Sequence, residues 1–470
     1  MSTVDANTFL REYTAALREG HASLFVGAGV SRAAGYVDWK HLLNEIAQEL
    51  GLDVDRESDL VVLAQFHCNQ RRGRDKLNQL LINEFLENVA LTSNHRLIAS
   101  LPLRTIWTTN YDDLLERALE EAGKRIDVKR RVADFATTRR RTDVIIYKMH
   151  GDKSSPAEAV LTKEDYESYD KSRGQFTIAL QGDLMMSTVL FVGVSFTDPN
   201  ILYILGRVKQ LLDKDGRKHF CVLKRPKPGE CGSTEYDCRR FPHWLEDLRR
   251  YNIQPVLVDS YDEVSNLLGE LGRRSHLRDV FVSGSMAEYA PFGQERFQQL
   301  CRRLGAELIR RNFNIISGFG LGVGDGVIVG AMDTLRRNDD QRLQLRPFPQ
   351  TVPVGVDRAE FWRAYRERMI ADAGVCVVLG GNKRADSGDV VPATGVLQEV
   401  EITRAQGKPV IPIGATGHVA RTLWGEAMKD PVAWCGAEGV ERYLAVLGDE
   451  TADIGLLTDA VVNILEVLNR

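Results

Sequence analysis

Short runs of β-branched residues alternate with amphipathic helical segments along most of this chain, and that alternation constrains its fold more than any other feature. In the first half the predicted strands are 22–26, 104–108, 143–149, 188–192, 219–223 and 254–258. Helical patterns such as WKHLLNEIAQEL separate most of them. Because parallel neighbours need a long crossover connection, usually a helix, this order predicts a mainly parallel, doubly wound α/β sheet.

The same pattern begins again near Val280. Its predicted strands are VFVSGS, FNIIS, VPVGV, VCVVLGG and KPVIPIG, and segments such as FQQLCRRLGAELIRR between them have helical periodicity. The polar segment 271–279 is the best candidate for a linker, and 336–351 is predicted to be a long charged loop. We therefore expect two Rossmann-like domains, residues 1–272 and 276–470.

Charge and cysteine usage exclude several classes of protein. The net charge is −4 without a basic block, which disfavours nucleic acid as a partner. Seven widely spaced cysteines do not form a disulfide framework, and Cys231 and Cys238 are too far apart for a zinc knuckle. The start, MSTVDANTF, lacks the features of a signal peptide, and no apolar run is long enough to cross a bilayer. We expect a cytoplasmic protein with no membrane partner.

Small and polar residues follow the predicted strands of the first domain. The glycine turn Gly27-Ala28-Gly29-Val30-Ser31 follows the first strand. Asn110 and Asp112 follow the second strand, His150 the third, and Gly193 and Ser195 the fourth. The carboxyl ends of parallel strands meet at one edge of a sheet, so these residues are expected to share one crevice. A glycine turn there lets a pyrophosphate approach the backbone, although tight packing alone also favours glycine.

These motifs resemble those of the sirtuin family, in order and in placement. GAGVSRAAG is similar to the family's phosphate-binding turn, TNYD to its T-x-N-x-D signature, MHG to its catalytic His-Gly and GVS to the G-x-S that holds the adenosine ribose. The resemblance covers roughly the first 260 residues. It implies NAD as substrate rather than cofactor. The implied NAD-binding residues are Gly27, Ala28, Gly29, Ser31, Asp38, Gly193 and Ser195.

The departures from the sirtuin pattern are as informative. Deacylases carry a zinc module with two cysteine pairs between the His-Gly and G-x-S motifs, whereas no cysteine lies between His150 and Gly193. That stretch is instead expected to be largely helical and polar. GYVDWK also stands where G-I-P-D-F-R is usual. The chain is therefore more similar to the zinc-less sirtuin-like domains of bacterial defence proteins, which destroy NAD, and we expect no zinc or other metal.

Cleavage of the bond between nicotinamide and ribose makes modest chemical demands. Nicotinamide leaves as a neutral molecule, so the site must orient the ribose and position a water molecule. Asn110 is predicted to bind the ribose or that water, and His150 to act as general base. Asp112 is predicted to stabilise positive charge, with capping of the next helix as its alternative role. Ser31 has the similar alternative of capping a turn.

The second domain has its own glycine-rich elements. Ser283 and Gly284 follow its first strand, and Gly318-Phe319-Gly320 lead towards a helix, an arrangement suited to anions. Lys383 and one of Arg363, Arg366 and Arg368 are candidates for phosphate contacts, with Arg366 preferred. Glu399 is a candidate for accepting ribose hydroxyls. A solvated helix face is the alternative explanation for the arginines.

These elements resemble the SLOG nucleotide-sensor domains and the related cytokinin-releasing phosphoribohydrolases. The hydrolase motif P-G-G-x-G-T-x-x-E is split here by NKRADSGDVVPA, which favours binding over hydrolysis. A sirtuin-like domain followed by such a sensor resembles the NAD-consuming effectors of the bacterial Thoeris antiphage systems. The resemblance implies that a TIR-domain partner makes a cyclic ADP-ribose isomer and that this signal activates NAD hydrolysis. It also implies a homo-oligomer, a tetramer or larger.

The implied activator-binding residues are Ser283, Gly284, Gly318, Phe319, Gly320, Arg366, Lys383 and Glu399. The amphipathic segment ANTFLREYTAALREG precedes the first strand, and we expect it to pack against a partner subunit. Three alternatives remain open: an NAD-dependent deacylase, a non-catalytic nucleotide-binding scaffold, and a second domain that is itself a nucleotide hydrolase.

Overall fold

The computed structural model describes residues 4–36, 39–57, 59–85, 89–196, 198–212, 215–230, 233–336, 339–349, 351–353 and 355–469. The chain divides into two compact units, residues 1–272 and 273–470. Each unit is built on a parallel β-sheet with connecting helices, which confirms the predicted fold class of two Rossmann-like α/β domains.

The first unit has a seven-stranded sheet in which every strand pairs in parallel with its neighbours, in the order β3-β4-β2-β1-β5-β6-β7. The strands are β1 (Ala22–Val26), β2 (Thr105–Thr108), β3 (Ile126–Lys129), β4 (Val144–Lys148), β5 (Thr188–Val192), β6 (His219–Lys224) and β7 (Ile253–Val258). Successive residues of a strand point to opposite faces. Leu24 and Val26 accordingly join one buried core, and Phe25 joins the other.

Helices connect these strands. They are α1 (Ala6–Arg18), α2 (Ala28–Arg32), α3 (Trp39–Leu42), α4 (Asn44–Glu49), α5 (Leu60–Arg71), α6 (Asp75–Glu84), α7 (Ser93–Ser100), α8 (Leu114–Glu121), α9 (Lys163–Glu167), α10 (Tyr169–Met186), α11 (Pro199–Leu212), α12 (Glu235–Arg249) and α13 (Tyr261–His276). Two short 3₁₀ helices cover Val132–Ala136 and Pro156–Glu158. Helices α9 and α10 occupy the segment after His150 that was predicted to be helical, which confirms that prediction.

The first helix packs its apolar face on its own unit. Phe9 and Tyr13 are fully buried, and the Phe9 ring lies 5.2 Å from that of Phe220 on β6. The Tyr13 hydroxyl donates to the carbonyl of Ser23 at 2.8 Å. The apolar side chains of this segment therefore complete the core beside β1 and β6, and its packing against another subunit stays a prediction. Assembly into a homo-oligomer stays a prediction that rests on the family resemblance.

The second unit has a five-stranded sheet in the order β10-β9-β8-β11-β14, again with parallel pairing throughout. The strands are β8 (Asp279–Ser285), β9 (Asn314–Ser317), β10 (Leu343–Leu345), β11 (Val375–Gly380) and β14 (Val410–Pro412). A two-stranded antiparallel hairpin, β12 (Asn382–Arg384) with β13 (Val390–Pro392), follows β11. The burial of every residue of β11 shows that this strand lies in the middle of the core.

Helices flank this sheet as well. They are α14 (Gln294–Arg310), α15 (Gly324–Met332), α16 (Arg358–Ala371), α17 (Thr394–Ala405), α18 (His418–Ala427), α19 (Pro431–Cys435), α20 (Glu441–Val446) and α21 (Ile454–Leu468), with 3₁₀ turns at Asp340–Arg342 and Gly414–Thr416. Across the described residues, no helix combines the length and the apolar character needed to cross a membrane.

Three boundaries in and around the second unit differ from the predictions. VPVGV, residues 352–356, contains no strand among its described residues, and the strand lies instead at Leu343–Leu345 inside the predicted loop 336–351. Pro353 cannot donate a ladder hydrogen bond, whereas Leu343 pairs with β9 and packs against the core. Residues 271–276 of the predicted linker continue helix α13 because Leu271 is fully buried in the first unit.

Candidate active site

The topology of the first sheet fixes the position of the site. Strand β1 lies between β2 and β5, and the connections after β1 and β5 run towards opposite edges of the sheet. In open α/β sheets, the carboxyl ends of strands at such a switch point form the ligand crevice. The residues that follow β1, β2 and β5 are the glycine turn, Asn110 and Gly193, so the predicted site residues gather at this point.

The glycine turn after β1 is packed tightly against the turn after β5. A Cβ on Gly27 would lie 2.3 Å from the Gly193 carbonyl oxygen, and the Gly29 amide donates to that same oxygen at 3.1 Å. Gly193 has φ +69°, a conformation that favours glycine. These three glycines are thus required by the approach of two backbone segments. In these two turns, Ala28, Gly29 and Ser195 are exposed to solvent.

Asn110 is tied into this turn by its side-chain amide. Its Nδ2 donates to the Gly27 carbonyl at 3.2 Å and to the Ser31 Oγ at 2.9 Å, and its backbone amide donates to the Thr108 Oγ1 at 3.0 Å. The side chain is only 6% exposed. Its Oδ1 is buried and has no hydrogen-bond partner among the residues that the structure describes. Buried acceptors are normally paired, so this oxygen is suited to a donor that comes from outside the protein.

His150, the second predicted catalytic residue, is buried at the end of β4. Its Nε2 lies 3.3 Å from the Asp198 Oδ2. The rings of Tyr166 and Tyr169 stand edge-on to it at 5.5 and 6.3 Å. Burial lowers the pKa of His150, with a further lowering by Arg173, and the Asp198 carboxylate opposes both. The net direction keeps the imidazole neutral near pH 7, as a general base requires.

Asp198 is the site residue that the sequence analysis missed. It directly precedes α11, and its Oδ1 accepts hydrogen bonds from the amides of Asn200 and Ile201. An Asp-Pro pair before a helical pattern is a recognisable helix start, but that signal says nothing about a histidine 48 residues earlier in the chain. The sequence around Tyr166 on α9 and Tyr169 on α10 likewise has no pattern that predicts a position beside His150.

Asp112 and Asp38 were also predicted to belong to the site, and the structure describes only Asp112. The Oδ1 of Asp112 accepts the amide of Leu114, the first residue of α8, at 3.0 Å, although the N-cap residue itself is Asp113. Its carbonyl accepts a hydrogen bond from the Lys148 Nζ. Asp38 lies outside the described residues.

A buried charged cluster lies beneath the loops that carry Asn110 and His150. Lys148 is fully buried, and its Nζ lies 3.0 Å from the Glu116 Oε1 and 3.5 Å from the Asp152 Oδ2. Burial opposes ionisation of Asp152, but Lys148, Ser154 and Arg130 outweigh it and lower its pKa. Lys148 therefore joins the loop that carries Asn110 to the loop that carries His150. No cluster of three or more metal-ligating side chains occurs in the part of the chain that the structure describes.

The second unit contains a separate cavity of about 600 Å³ at the carboxyl ends of β8 and β9. All the predicted activator-binding residues line it: Ser283, Gly284, Gly318, Phe319, Gly320, Arg366, Lys383 and Glu399. The glycine loop is close-packed, since a Cβ on Gly320 would lie 2.0 Å from the Gly284 carbonyl oxygen. Two aromatic residues of the lining, Phe348 and Trp362, were not predicted from the sequence.

Two opposite charges face each other inside this cavity. The Arg366 Nε lies 3.5 Å from the Glu399 Oε1, and the other carboxylate oxygen accepts the Ser283 hydroxyl at 2.6 Å. The Arg366 guanidinium also donates to the Gln398 Oε1 at 3.0 Å and lies over the Phe348 ring at 4.4 Å. Burial raises the pKa of Glu399, while Ser283 and Arg366 act in the opposite direction.

The other basic candidates differ in their surroundings. Arg363 and Arg368 are exposed, and Arg363 pairs with Glu367 at 3.1 Å. Only Arg366 of the three lines the cavity. Lys383 is exposed on the hairpin, with its Nζ 3.2 Å from the Thr394 Oγ1.

Comparison with known proteins assigns a family to each unit. Residues 104–256 match the SIR2-like domain family, and residues 263–468 match the Sir2- and TIR-associating SLOG family, STALD. The chain is 43% identical to the NAD(+) hydrolase ThsA of Bacillus cereus (strain MSX-D12), over 98% of both chains. It is 40% identical to the NAD(+) hydrolase ThsA of Cytobacillus dafuensis, over 99% of this chain and 95% of that protein. A shorter match, 27% identical, is to the defense-associated sirtuin 2 of Bacillus subtilis, over 47% of this chain and 22% of that protein.

Proposed function

This chain belongs to the family of NAD(+) hydrolases named ThsA, which join a SIR2-like domain to a STALD domain, and from that premise we propose how it acts. It is an NAD⁺ hydrolase that releases nicotinamide and ADP-ribose. Asn110 and His150 carry out the reaction at the switch point of the first sheet. The observation that supports this assignment best is the buried, unpaired Oδ1 of Asn110.

The site's own groups can meet the needs of the reaction. Departure of neutral nicotinamide leaves positive charge on the ribose, and water then adds to the anomeric carbon. The Asn110 amide is fixed by its two donated hydrogen bonds, so its Oδ1 is held ready to accept one from a ribose hydroxyl or from that water. His150 is neutral and accepts the proton that water releases. We propose that the turn from Gly27 to Ser31 and the exposed Ser195 hold the rest of the dinucleotide.

We further propose that the cavity of the second unit binds a regulatory nucleotide. Arg366 and Lys383 would contact phosphates, Glu399 would accept ribose hydroxyls, and Phe319 would offer a stacking surface. The chemistry fits a cyclic ADP-ribose isomer, and we propose that a TIR-domain enzyme supplies it during phage infection. Binding would activate NAD⁺ hydrolysis in a homo-oligomer and deplete the NAD⁺ of the infected cell.

One experiment tests both parts. Purified protein is incubated with NAD⁺, with and without cyclic ADP-ribose isomers, and nicotinamide and ADP-ribose are quantified by chromatography. We expect equimolar products and faster turnover with one isomer. Absence of nicotinamide release under every condition would contradict the hydrolase assignment. Turnover that no isomer changes would contradict the regulatory proposal and leave the hydrolase assignment standing.

A further inference from the structure

We infer that Asp198 is a positioning residue for His150, holding the imidazole with its proton on Nε2 so that Nδ1 is the nitrogen that accepts the proton in NAD⁺ hydrolysis. The inference rests on the proposed role of His150 as base. It concerns a residue outside the motifs by which the sirtuin resemblance was drawn.

The two oxygens of the Asp198 carboxylate have different partners. Its Oδ1 accepts the amides of Asn200 and Ile201 at 2.9 and 3.1 Å, which anchors it to the first turn of α11. Its Oδ2 accepts the Tyr166 hydroxyl at 3.1 Å and lies 3.3 Å from the His150 Nε2. The two atoms are not aligned as a hydrogen bond in this structure, and the buried Nε2 has no other hydrogen-bond partner among the described residues. Hydrogen bonds of active sites are often long or poorly aligned before substrate binds and tighten in the reacting complex.

Among the described residues, the other groups around His150 do not offer it a carboxylate acceptor of this kind. From α10, the Arg173 guanidinium donates to the carbonyls of Met149, Arg130 and Glu158, and its positive charge opposes protonation of the imidazole. The Tyr169 hydroxyl, also on α10, donates to the Met149 carbonyl at 3.0 Å. From α9, Tyr166 donates to Asp198 itself. Burial raises the pKa of both tyrosines, so they stay neutral and protonated.

A carboxylate acts on a base in two ways. A neutral imidazole has one N–H and one lone pair, so an Nε2–H donated to Asp198 leaves the lone pair on Nδ1. In the reaction, the water oxygen bonds to the anomeric carbon, the bond to nicotinamide breaks, and the water proton moves to Nδ1. Asp198 keeps its negative charge and stabilises the imidazolium until the proton passes to solvent. It touches neither NAD⁺ nor water, which makes it a positioning residue.

The decisive variant is Asp198→Asn in the full chain. Asparagine retains the helix cap, because its Oδ1 can still accept the two amides. Its Nδ2 would face Nε2 as a donor, however, and would favour the wrong tautomer. We expect kcat to fall about 100-fold or more, with KM changed less than about threefold. Asp59→Asn is the matched control, since Asp59 caps α5 through the amides of Val61 and Val62 at similar distances and should leave kcat unchanged.

The pH profile separates positioning from mere structural support. The Asp198 charge raises the pKa of His150, and so its removal should move the acid limb of kcat to lower pH. A structural role would lower kcat equally at every pH. Activity in Asp198→Asn that matches wild type, or a loss of kcat with an unshifted acid limb, would overturn the inference.

A spectroscopic measurement keeps the inference testable if that variant folds poorly. In the full wild-type chain labelled with ¹⁵N-histidine, the two nitrogens of the His150 ring report the tautomer, and a His150→Gln sample identifies their signals. We expect Nε2 to carry the proton. A proton on Nδ1 would refute the role assigned to Asp198, even if the protein hydrolyses NAD⁺ as proposed. Failure of the wild-type protein to hydrolyse NAD⁺ would instead refute the proposed function.

Discussion

Replacing Gly395 by alanine probes the cavity of the second unit with one added methyl group. Gly395 is the second residue of helix α17, and its φ lies in the range that any residue adopts. A Cβ at this position would lie 2.8 Å from the Arg366 Nη2, the far end of a flexible side chain. The methyl group should therefore displace the guanidinium and leave the backbone of the helix in place.

The fold should tolerate this change. Alanine is favoured over glycine inside a helix by about 0.5–1 kcal/mol. Against this, Arg366 would lose its 3.0 Å hydrogen bond to Gln398 and its 3.5 Å approach to Glu399. A hydrogen bond to a charged group contributes about 1.5–3 kcal/mol to stability, and water in the cavity would restore part of it to the displaced guanidinium. We therefore expect the free energy of unfolding to fall by less than about 2 kcal/mol.

The effect on the regulatory nucleotide should be larger. A hydrogen bond to a charged group contributes about 1.5–3 kcal/mol. Misplacing the guanidinium should therefore weaken activator binding by roughly 10- to 150-fold. Isothermal titration measures that loss, a fluorogenic NAD analogue measures the activator concentration needed for stimulation, and thermal unfolding measures stability.

A control variant separates the effect of displacing Arg366 from the general effect of replacing a helical glycine by alanine. Gly425 lies in helix α18, and a Cβ there would meet nothing within 4 Å. Gly425→Ala should bind activator like wild type. If Gly395→Ala also binds within about threefold of wild type, Arg366 does not make the phosphate contact assigned to it. An unfolded Gly395→Ala would show that the backbone, and not the arginine, absorbs the added methyl.

Three further predictions concern the rest of the molecule. Asn110→Ala and His150→Ala should each abolish nicotinamide release while the circular dichroism spectrum stays that of wild type, and normal turnover in either would contradict the assigned roles. Arg366→Ala or Glu399→Ala should keep basal NAD⁺ hydrolysis but lose stimulation by cyclic ADP-ribose isomers, so two variants that respond like wild type would place the regulatory site elsewhere. Elemental analysis should find less than about 0.1 zinc per chain and chelators should leave activity intact, because the stretch after His150 has no cysteine ligands, and stoichiometric zinc would revive the deacylase alternative.

Hydrophobic periodicity and strand ends account for what the sequence predicted correctly. Strands β1 and β5 are buried at nearly every position, so they read as continuous apolar runs. The residues directly after such strands can be placed at one edge of the sheet without any knowledge of side-chain packing. Asn110, Ser31 and the glycine turn could therefore be predicted to share one crevice from their positions after the strands alone.

Burial of charge explains why strand β3 was not predicted. Strand β3 has the sequence IDVK, and its Asp127 and Lys129 are 5% and 4% exposed and pair with each other at 2.9 Å. The hydrophobic pattern predicts that both residues lie on the surface, because charged side chains are rarely buried unless they are paired. Asp127 and Lys129 can pair because side chains two residues apart lie on the same face of a strand.

Long-range packing explains the site residues that were missed. Asp198 and Phe348 each lie next to a proline, where local patterns predict a helix start or a loop and nothing more. Their importance comes from what reaches them from elsewhere in the fold, the His150 ring in one case and the Arg366 guanidinium in the other. A single sequence contains no record of such pairings.

The two proposed sites differ in the charge of the groups that would contact their ligands, and this difference supports a division between reaction and regulation. At the first site the groups proposed to contact NAD⁺ or water are uncharged: an amide with one unpaired oxygen and a histidine whose burial lowers its pKa. At the second site Arg366 and Glu399 already compensate each other. A nucleotide that offers phosphate to the arginine and hydroxyls to the carboxylate would compete with that internal pair, so we expect its binding to be coupled to a rearrangement of α16 and α17 side chains. Coupling of this kind gives a ligand different affinities for two states of the protein, which is the condition for it to act as a regulator.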